Sequence, residues 1–228
     1  MFARIIYATL IAGLSAGLVL TGVQAVRVTP LIHKAELYEH ASEAATHDSH
    51  AAAQAKEWQP SEGFERIAYS TLANVLAGIG FALLLTGTYV LCGGVDWRRG
   101  LLWGLGGFVT FVLAPALGLP PALPGGDPAP LVPRQLWWVA TAAATAGGLA
   151  LVVFGPRWWW KFVGILLLPL PHVIGAPQGA GAGTVPPDLE TAFITASLVT
   201  NLVFWLVLGL TTATTFRWLV LPKLGPNA

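Results

Sequence analysis

Charge is scarce in this chain: only 10% of its 228 residues are Asp, Glu, Lys or Arg, where a soluble domain carries roughly 25%. A net charge of +1 gives no footing for nucleic acid or any strongly charged partner. A single cysteine, Cys92, excludes an internal disulfide and a cysteine-rich metal site. Also missing are a nucleotide-binding Gly-rich fingerprint and an HExxH pair, so neither motif points to nucleotide or zinc-protease chemistry. What abounds is apolar: 55% hydrophobic residues with 10 Trp, and 26 Gly set within apolar runs and at their ends. This is the composition of a polytopic membrane protein.

A helix needs about 20 mostly apolar residues to cross the hydrocarbon. The clearest spans are 5–26, 67–92, 100–118 and 191–214. The run from Leu136 to Gly175 is too long for one crossing and is interrupted by Gly155, Pro156 and Arg157; proline ends or kinks a helix just before itself. It divides into spans 136–154 and 158–174, the latter short and carrying Pro169 and Pro171. The expected fold is therefore all-α: one membrane domain over 1–228 with six transmembrane helices, or five plus a re-entrant segment, and one outer amphipathic helix within the loop 29–60. A cleaved signal peptide is the competing reading of the N-terminus. The first apolar run exceeds the roughly 7–15 residues of a signal core, which favours a retained span.

Lys and Arg in short loops orient such a bundle. With the N-terminus inside, inner segments carry Arg4, Arg98, Arg99, Arg157, Lys161, Arg217 and Lys223, whereas the short outer loops carry only Arg134. Both termini are then cytoplasmic. Trp97, Trp103, Trp158, Trp159, Trp160 and Trp218 form an inner aromatic belt, with Trp137 and Trp138 outside. Every histidine and every acid except Asp96 falls on or near the outer face.

The polar loop after the first span holds four of the five histidines. His33, Glu36, His40, Glu43, His47 and His50 recur at steps of three and four, which stacks them on one face of a helix. Imidazole and carboxylate are ligands for divalent first-row metals. Thr29-Pro30 is a helix start, and 31–58 contains neither Gly nor Pro. Leu37, Ala41, Ala44, Ala51 and Ala55 form a small-residue face suited to docking, with the His/Glu stripe pointing elsewhere. The competing reading of the stripe is a solvated polar face.

Inside the spans, ionisable residues are nearly absent. Asn74, Asn201, Gln24, Tyr89 and the threonines of the last span read as interhelical hydrogen bonding, and the pairs Gly13/Gly17 and Gly100/Gly104 as close helix contacts. Two proline corners, 115–120 and 171–177, each end an inward–outward hairpin. They suggest two parallel repeats whose broken ends face each other at an outer mouth, with His172 beside free carbonyls.

Pro30-Leu31 with Ala35-Glu36-Leu37-Tyr38-Glu39, then Trp103-Gly104, Gly107-Phe108 and Ala114-Pro115, the loop 118–125, Arg134-Gln135 with Trp137-Trp138, and Pro171-His172 with Gly175-Ala176-Pro177 run through nearly the whole chain. Together they resemble the CbtA family of predicted cobalt transporter subunits. The resemblance implies a multi-pass protein of the bacterial inner membrane that takes up Co²⁺ for cobalamin synthesis, working with a small single-span, His-bearing subunit of the CbtB type. Glu36, Glu39 and His172 match the family motifs and could bind metal; His33, His40, His47 and His50 are not carried over by it. Ala122 stands where the family's proline-rich loop would be expected to hold an acid.

The expected function is cobalt uptake, the outer helix capturing metal and the bundle passing it inward, with Ni²⁺ or Zn²⁺ as alternative substrates. The alternative is a non-transporting metal-binding subunit that delivers metal to a separate permease. No permanently bound cofactor and no enzymatic activity are expected; His172 with Asp188 or Glu190 lacks an accompanying nucleophile. Expected partners are membrane lipid, the CbtB-type subunit and a further copy of the chain.

Overall fold

Runs of apolar residues without internal Gly-Pro breaks become the long helices of this protein, and prolines set where the shorter ones stop. A computed structural model describes residues 2–46, 60–61, 63–92, 95–126, 129–179 and 185–223. The helices are α1 (Phe2–Arg27), α2 (Thr29–Thr46), α3 (Phe64–Leu91), α4 (Trp97–Phe108), α5 (Ala114–Ala116), α6 (Leu131–Phe154), α7 (Trp158–Leu167), α8 (Leu170–Ile174) and α9 (Pro187–Leu219). No strand occurs among the described residues. α1, α3, α6, α9 and the continuous stretch Trp97–Ala116 are each long and apolar enough to cross a membrane. They contain the spans expected at 5–26, 136–154 and 191–214 and cover those expected at 67–92 and 100–118 to within two residues at the C-terminal end. The remaining span forms the shorter apolar stretch Trp158–Ile174, broken between α7 and α8.

Proline chemistry explains both irregular stretches. Pro115 has no N–H and its ring crowds the carbonyl of Phe111. Just before it, Val109–Leu113 widens into a π-helical turn, and the Ala114 N–H donates to the Val109 carbonyl five residues back. The wider turn relieves the crowding. Pro169 and Pro171 likewise cannot donate to the carbonyls of Ile165 and Leu167, and α7 stops at Leu167.

The chain divides into two compact units: 1–27, 43–105 and 200–228 in one, 28–42 and 106–199 in the other. In the first unit, glycines let backbones touch. A Cβ on Gly13 would lie 2.4 Å from Ile79 Cα, and one on Gly17 2.6 Å from Val75 Cα, so α1 and α3 meet main chain to main chain. A Cβ on Gly104 would lie 2.3 Å from the Trp205 carbonyl, and one on Gly209 2.3 Å from the Gly100 carbonyl. These are the close contacts expected of small residues at four-residue spacing.

Polar side chains there mostly serve the packing. Asn74 Nδ2 donates to Thr21 Oγ1 at 3.0 Å and to Gln24 Oε1 at 2.6 Å, tying α3 to α1. Thr215 Oγ1 donates to the Ala8 carbonyl at 3.3 Å. Thr211 and Thr214 donate to carbonyls of their own helix. Asn74→Ala should lower the thermal stability of detergent-solubilised protein by about 0.6–1.7 kcal/mol, the range of such interhelical bonds.

In the second unit, Val28, Ala35, Leu123 and Phe193 form a buried cluster, against which Leu31, Ile32, Val185, Leu189 and Ala196 pack. The start of α2, the proline-rich loop and the start of α9 are thereby fixed together. α6 and α7 approach through Gly148 and Gly164, where a Cβ on either would meet the other's carbonyl at 2.8 and 2.6 Å.

Candidate metal-handling site

α2 starts where the Val28 carbonyl accepts the Leu31 and Ile32 N–H groups. Its packed side runs through Val28, Leu31, Ile32 and Ala35, one helical face by spacing. Of the docking face expected at Leu37, Ala41, Ala44, Ala51 and Ala55, Leu37 is 70% exposed and Ala41 is exposed, so neither packs within the chain, and the side chains of the other three lie outside the described residues. Phe193 and Leu123 offer an apolar surface to the branched residues three and four apart, which bury more area than the alanines. As a result the stripe does not act as one uniform face. Glu36 and Glu39 are half-buried on the flank of the packed side, whereas His33 and His40 are exposed. His33 Nδ1 donates to Glu36 Oε2 at 3.1 Å. Glu43 lies in α2 but its side chain is outside the described residues, as are His47 and His50 altogether.

The two proline corners do meet, and Trp137 joins them. A Cβ on Gly118 would lie 2.4 Å from Trp137 Cη2 and 3.0 Å from Ala176 Cβ, so the first corner rests on both the indole and the second corner. Trp137 Nε1 donates to the Pro171 carbonyl at 3.2 Å, and its ring stands edge to face with the His172 imidazole, centroids 5.6 Å apart. His172 is itself half-buried. Gly175 has φ +94°, the left-handed region, and its N–H caps the Pro171 carbonyl; this turns the chain after His172 at no steric cost. Trp137 is only 9% exposed. It is a buried strut between the two corners, whereas Trp97, Trp158 and Trp218 are exposed.

Beside the first corner opens a cleft of about 990 Å³ lined by Leu119, Leu123, Arg134, Gln135, Trp138 and Glu190, among others. Ala122 lines it too, at the place where an acid was expected. Leu123 and Val185 belong both to this lining and to the cluster that docks α2, so the half-buried face of α2 and the cleft share a wall. Asp188 and Glu190 stand in the first turn of α9, where the helix dipole favours negative charge. Among the described residues no three of His, Cys, Asp and Glu come together to hold a metal ion.

Sequence reasoning passed over Thr141 and Thr145. Both are buried on α6, and their hydroxyls have no hydrogen-bond partner among the described residues. Their spacing from Trp137, four and eight residues on the same helix, was the available signal.

A family model described as "Probable cobalt transporter subunit (CbtA)" matches residues 2–217. The chain belongs to the CbtA family. No curated protein and no solved structure matches it. As a CbtA protein it is a membrane protein of a cobalt transport system, and cobalt is cargo, not a resident cofactor. A CbtA chain is a subunit, so it works within a complex.

Proposed function

We propose that this CbtA chain takes up Co²⁺ across the bacterial inner membrane, with α2 on the outer face and both termini in the cytoplasm. Glu36 and Glu39 form the receiving end, His33, His40, His47 and His50 concentrate metal around them, and Glu43 adds to that surface. The ion then passes by the proline corners and His172 into the bundle. The observation that carries this reading is the division along α2, with Glu36 and Glu39 half-buried and His33 and His40 exposed. A CbtB-type single-span subunit completes the assembly. The chain has no nucleotide motif, and a membrane potential alone favours entry of a divalent cation by about 4.6 kcal/mol per 100 mV.

Glu36→Gln with Glu39→Gln should cut labelled-cobalt uptake by about tenfold at every cobalt concentration, a loss of the size seen around metal ligands. His47→Ala with His50→Ala should reduce uptake only when cobalt is dilute. Equal concentration dependence for the two pairs would contradict the division of roles.

The second reading is a subunit that binds metal and hands it to a separate permease. It is favoured by the near absence of ionisable residues within the spans, where a transport path ordinarily carries them. Purified chain that binds Co²⁺ but never moves it into reconstituted vesicles would select it.

A further inference from the structure

Two buried hydroxyls stand out because of what lies opposite them. Thr141 and Thr145 are 0% and 1% exposed, and neither Oγ1 finds a partner among the described residues. Most threonines of α9 avoid this by bonding to their own helix. An unpartnered buried hydroxyl costs about 1–3 kcal/mol, so two on one helix face call for a reason. They follow Trp137 by one and two turns, about 15 and 21 Å along α6 from Leu131 at 1.5 Å per residue. That places them near the middle of a 24-residue helix.

The antiparallel register between α6 and α7–α8 is fixed at two anchors. One is Trp137 Nε1 on the Pro171 carbonyl at 3.2 Å. The other is Gly148, whose added Cβ would meet the Gly164 carbonyl at 2.8 Å. Between those anchors Thr141 and Thr145 lie level with residues 165–169, the stretch in which α7 stops. Pro169 and Pro171 have no N–H for the carbonyls of Ile165 and Leu167. Two hydroxyls and two carbonyls deprived of their helical donors thus share one depth in the second unit, with Trp137 above them. Broken helices whose oxygens turn inward are how membrane bundles present a cation site without charged side chains.

We propose that Thr141, Thr145 and the main-chain carbonyls of Ile165 and Leu167 form an occluded mid-membrane step for a hydrated divalent cation, recognised through its water shell. A bare ion among neutral oxygens in an apolar bundle would be too costly. Hydroxyls and carbonyls that hydrogen-bond its bound water lower that cost without holding the ion fast. This step rests on the uptake reading above, and it separates capture, at α2, from passage, beneath Trp137.

The test uses right-side-out membrane vesicles from cells carrying the whole transporter complex, with labelled Co²⁺ as probe. Thr141→Val with Thr145→Val should lower uptake roughly tenfold, about 1.4 kcal/mol in the barrier. Cobalt bound by the purified chain and its thermal stability should be maintained, since an isosteric methyl removes an unpartnered hydroxyl. Thr141→Ser with Thr145→Ser should restore uptake. Thr86→Val removes another buried, unpartnered hydroxyl, but on the unbroken helix α3, and should leave uptake unchanged. Wild-type uptake in the valine pair, loss of binding along with uptake, or an equal loss in Thr86→Val would each overturn the site. If vesicles with the wild-type chain take up no more cobalt than vesicles without it, the uptake reading falls and this step with it. If the Glu36/Glu39 variant loses uptake and the valine pair does not, only this step falls.

Discussion

Gly209→Leu should leave almost no folded protein in the membrane, and Gly209→Ala should be measurably less stable than wild type. A single methyl at this position would sit 2.3 Å from the Gly100 carbonyl and 2.9 Å from Gly104 Cα. Both obstacles are backbone, so neither can rotate away. The reciprocal positions are equally closed: a Cβ on Gly100 would meet Ala213 Cβ at 2.4 Å, and one on Gly104 the Trp205 carbonyl at 2.3 Å. Only separation of α4 from α9 would make room, and that loses the packing which drives helix association in lipid. Overpacking a tight core costs about 1–3 kcal/mol, occasionally more; a leucine here belongs at or above the top of that range. Gly80→Ala and Gly106→Ala supply the contrast. Nothing lies within 4 Å of a Cβ at either, and replacing a helical glycine by alanine is favourable by about 0.5–1 kcal/mol. Thermal denaturation in detergent, with membrane protein levels, should order the variants as Gly80→Ala and Gly106→Ala above wild type, then Gly209→Ala, then Gly209→Leu. A neutral Gly209→Ala would mean that α4 and α9 are not in backbone contact.

Those contacts were legible in the sequence because spacing alone encodes them: Gly13/Gly17 and Gly100/Gly104 are each four apart on one helix face. The all-α membrane architecture was legible for the same kind of reason, since long apolar runs have no other stable form in lipid. The meeting of the proline corners was foreseeable from their repetition, though not the residue that joins them. Trp137 carries the same sequence signal as an interfacial tryptophan, and only tertiary packing places it between Gly118 and Pro171. The side of α2 that packs within the chain was not legible, because alanine spacing marks a face that can dock, while Phe193 and Leu123 decide which face packs here. Thr141 and Thr145 stayed hidden for a different reason. Threonine in an apolar helix ordinarily bonds to its own backbone, and whether it does so is settled by rotamer, which no spacing records.

Trp137→Ala should cost about 3–5 kcal/mol, the range for truncating a large buried aromatic, and should abolish cobalt uptake even where folded protein remains. The indole fills the space between the two corners, so its loss frees Gly118, the Pro171 carbonyl and the His172 ring together. Trp137→Phe separates shape from hydrogen bonding. It keeps an aromatic ring but removes the donor to Pro171, whose carbonyl still accepts the Gly175 N–H at 3.1 Å; the expected loss is about 0.5–1.5 kcal/mol. Gly118→Ala attacks the same contact from the other side, pressing a methyl to 2.4 Å from Trp137 Cη2. The indole cannot swing clear, because it is buried and bonded at its far end. Phenylalanine is shorter at that point, so the added methyl should be tolerated in the double variant. Gly118→Ala with Trp137→Phe should therefore be more stable than the sum of the single losses predicts, by an interaction energy within the about 0.5–3 kcal/mol seen for touching residues. Strict additivity would show that the corner and the indole do not bear on each other. Trp137 would then hold the Pro171–His172 turn alone, and the two corners would have to be joined some other way.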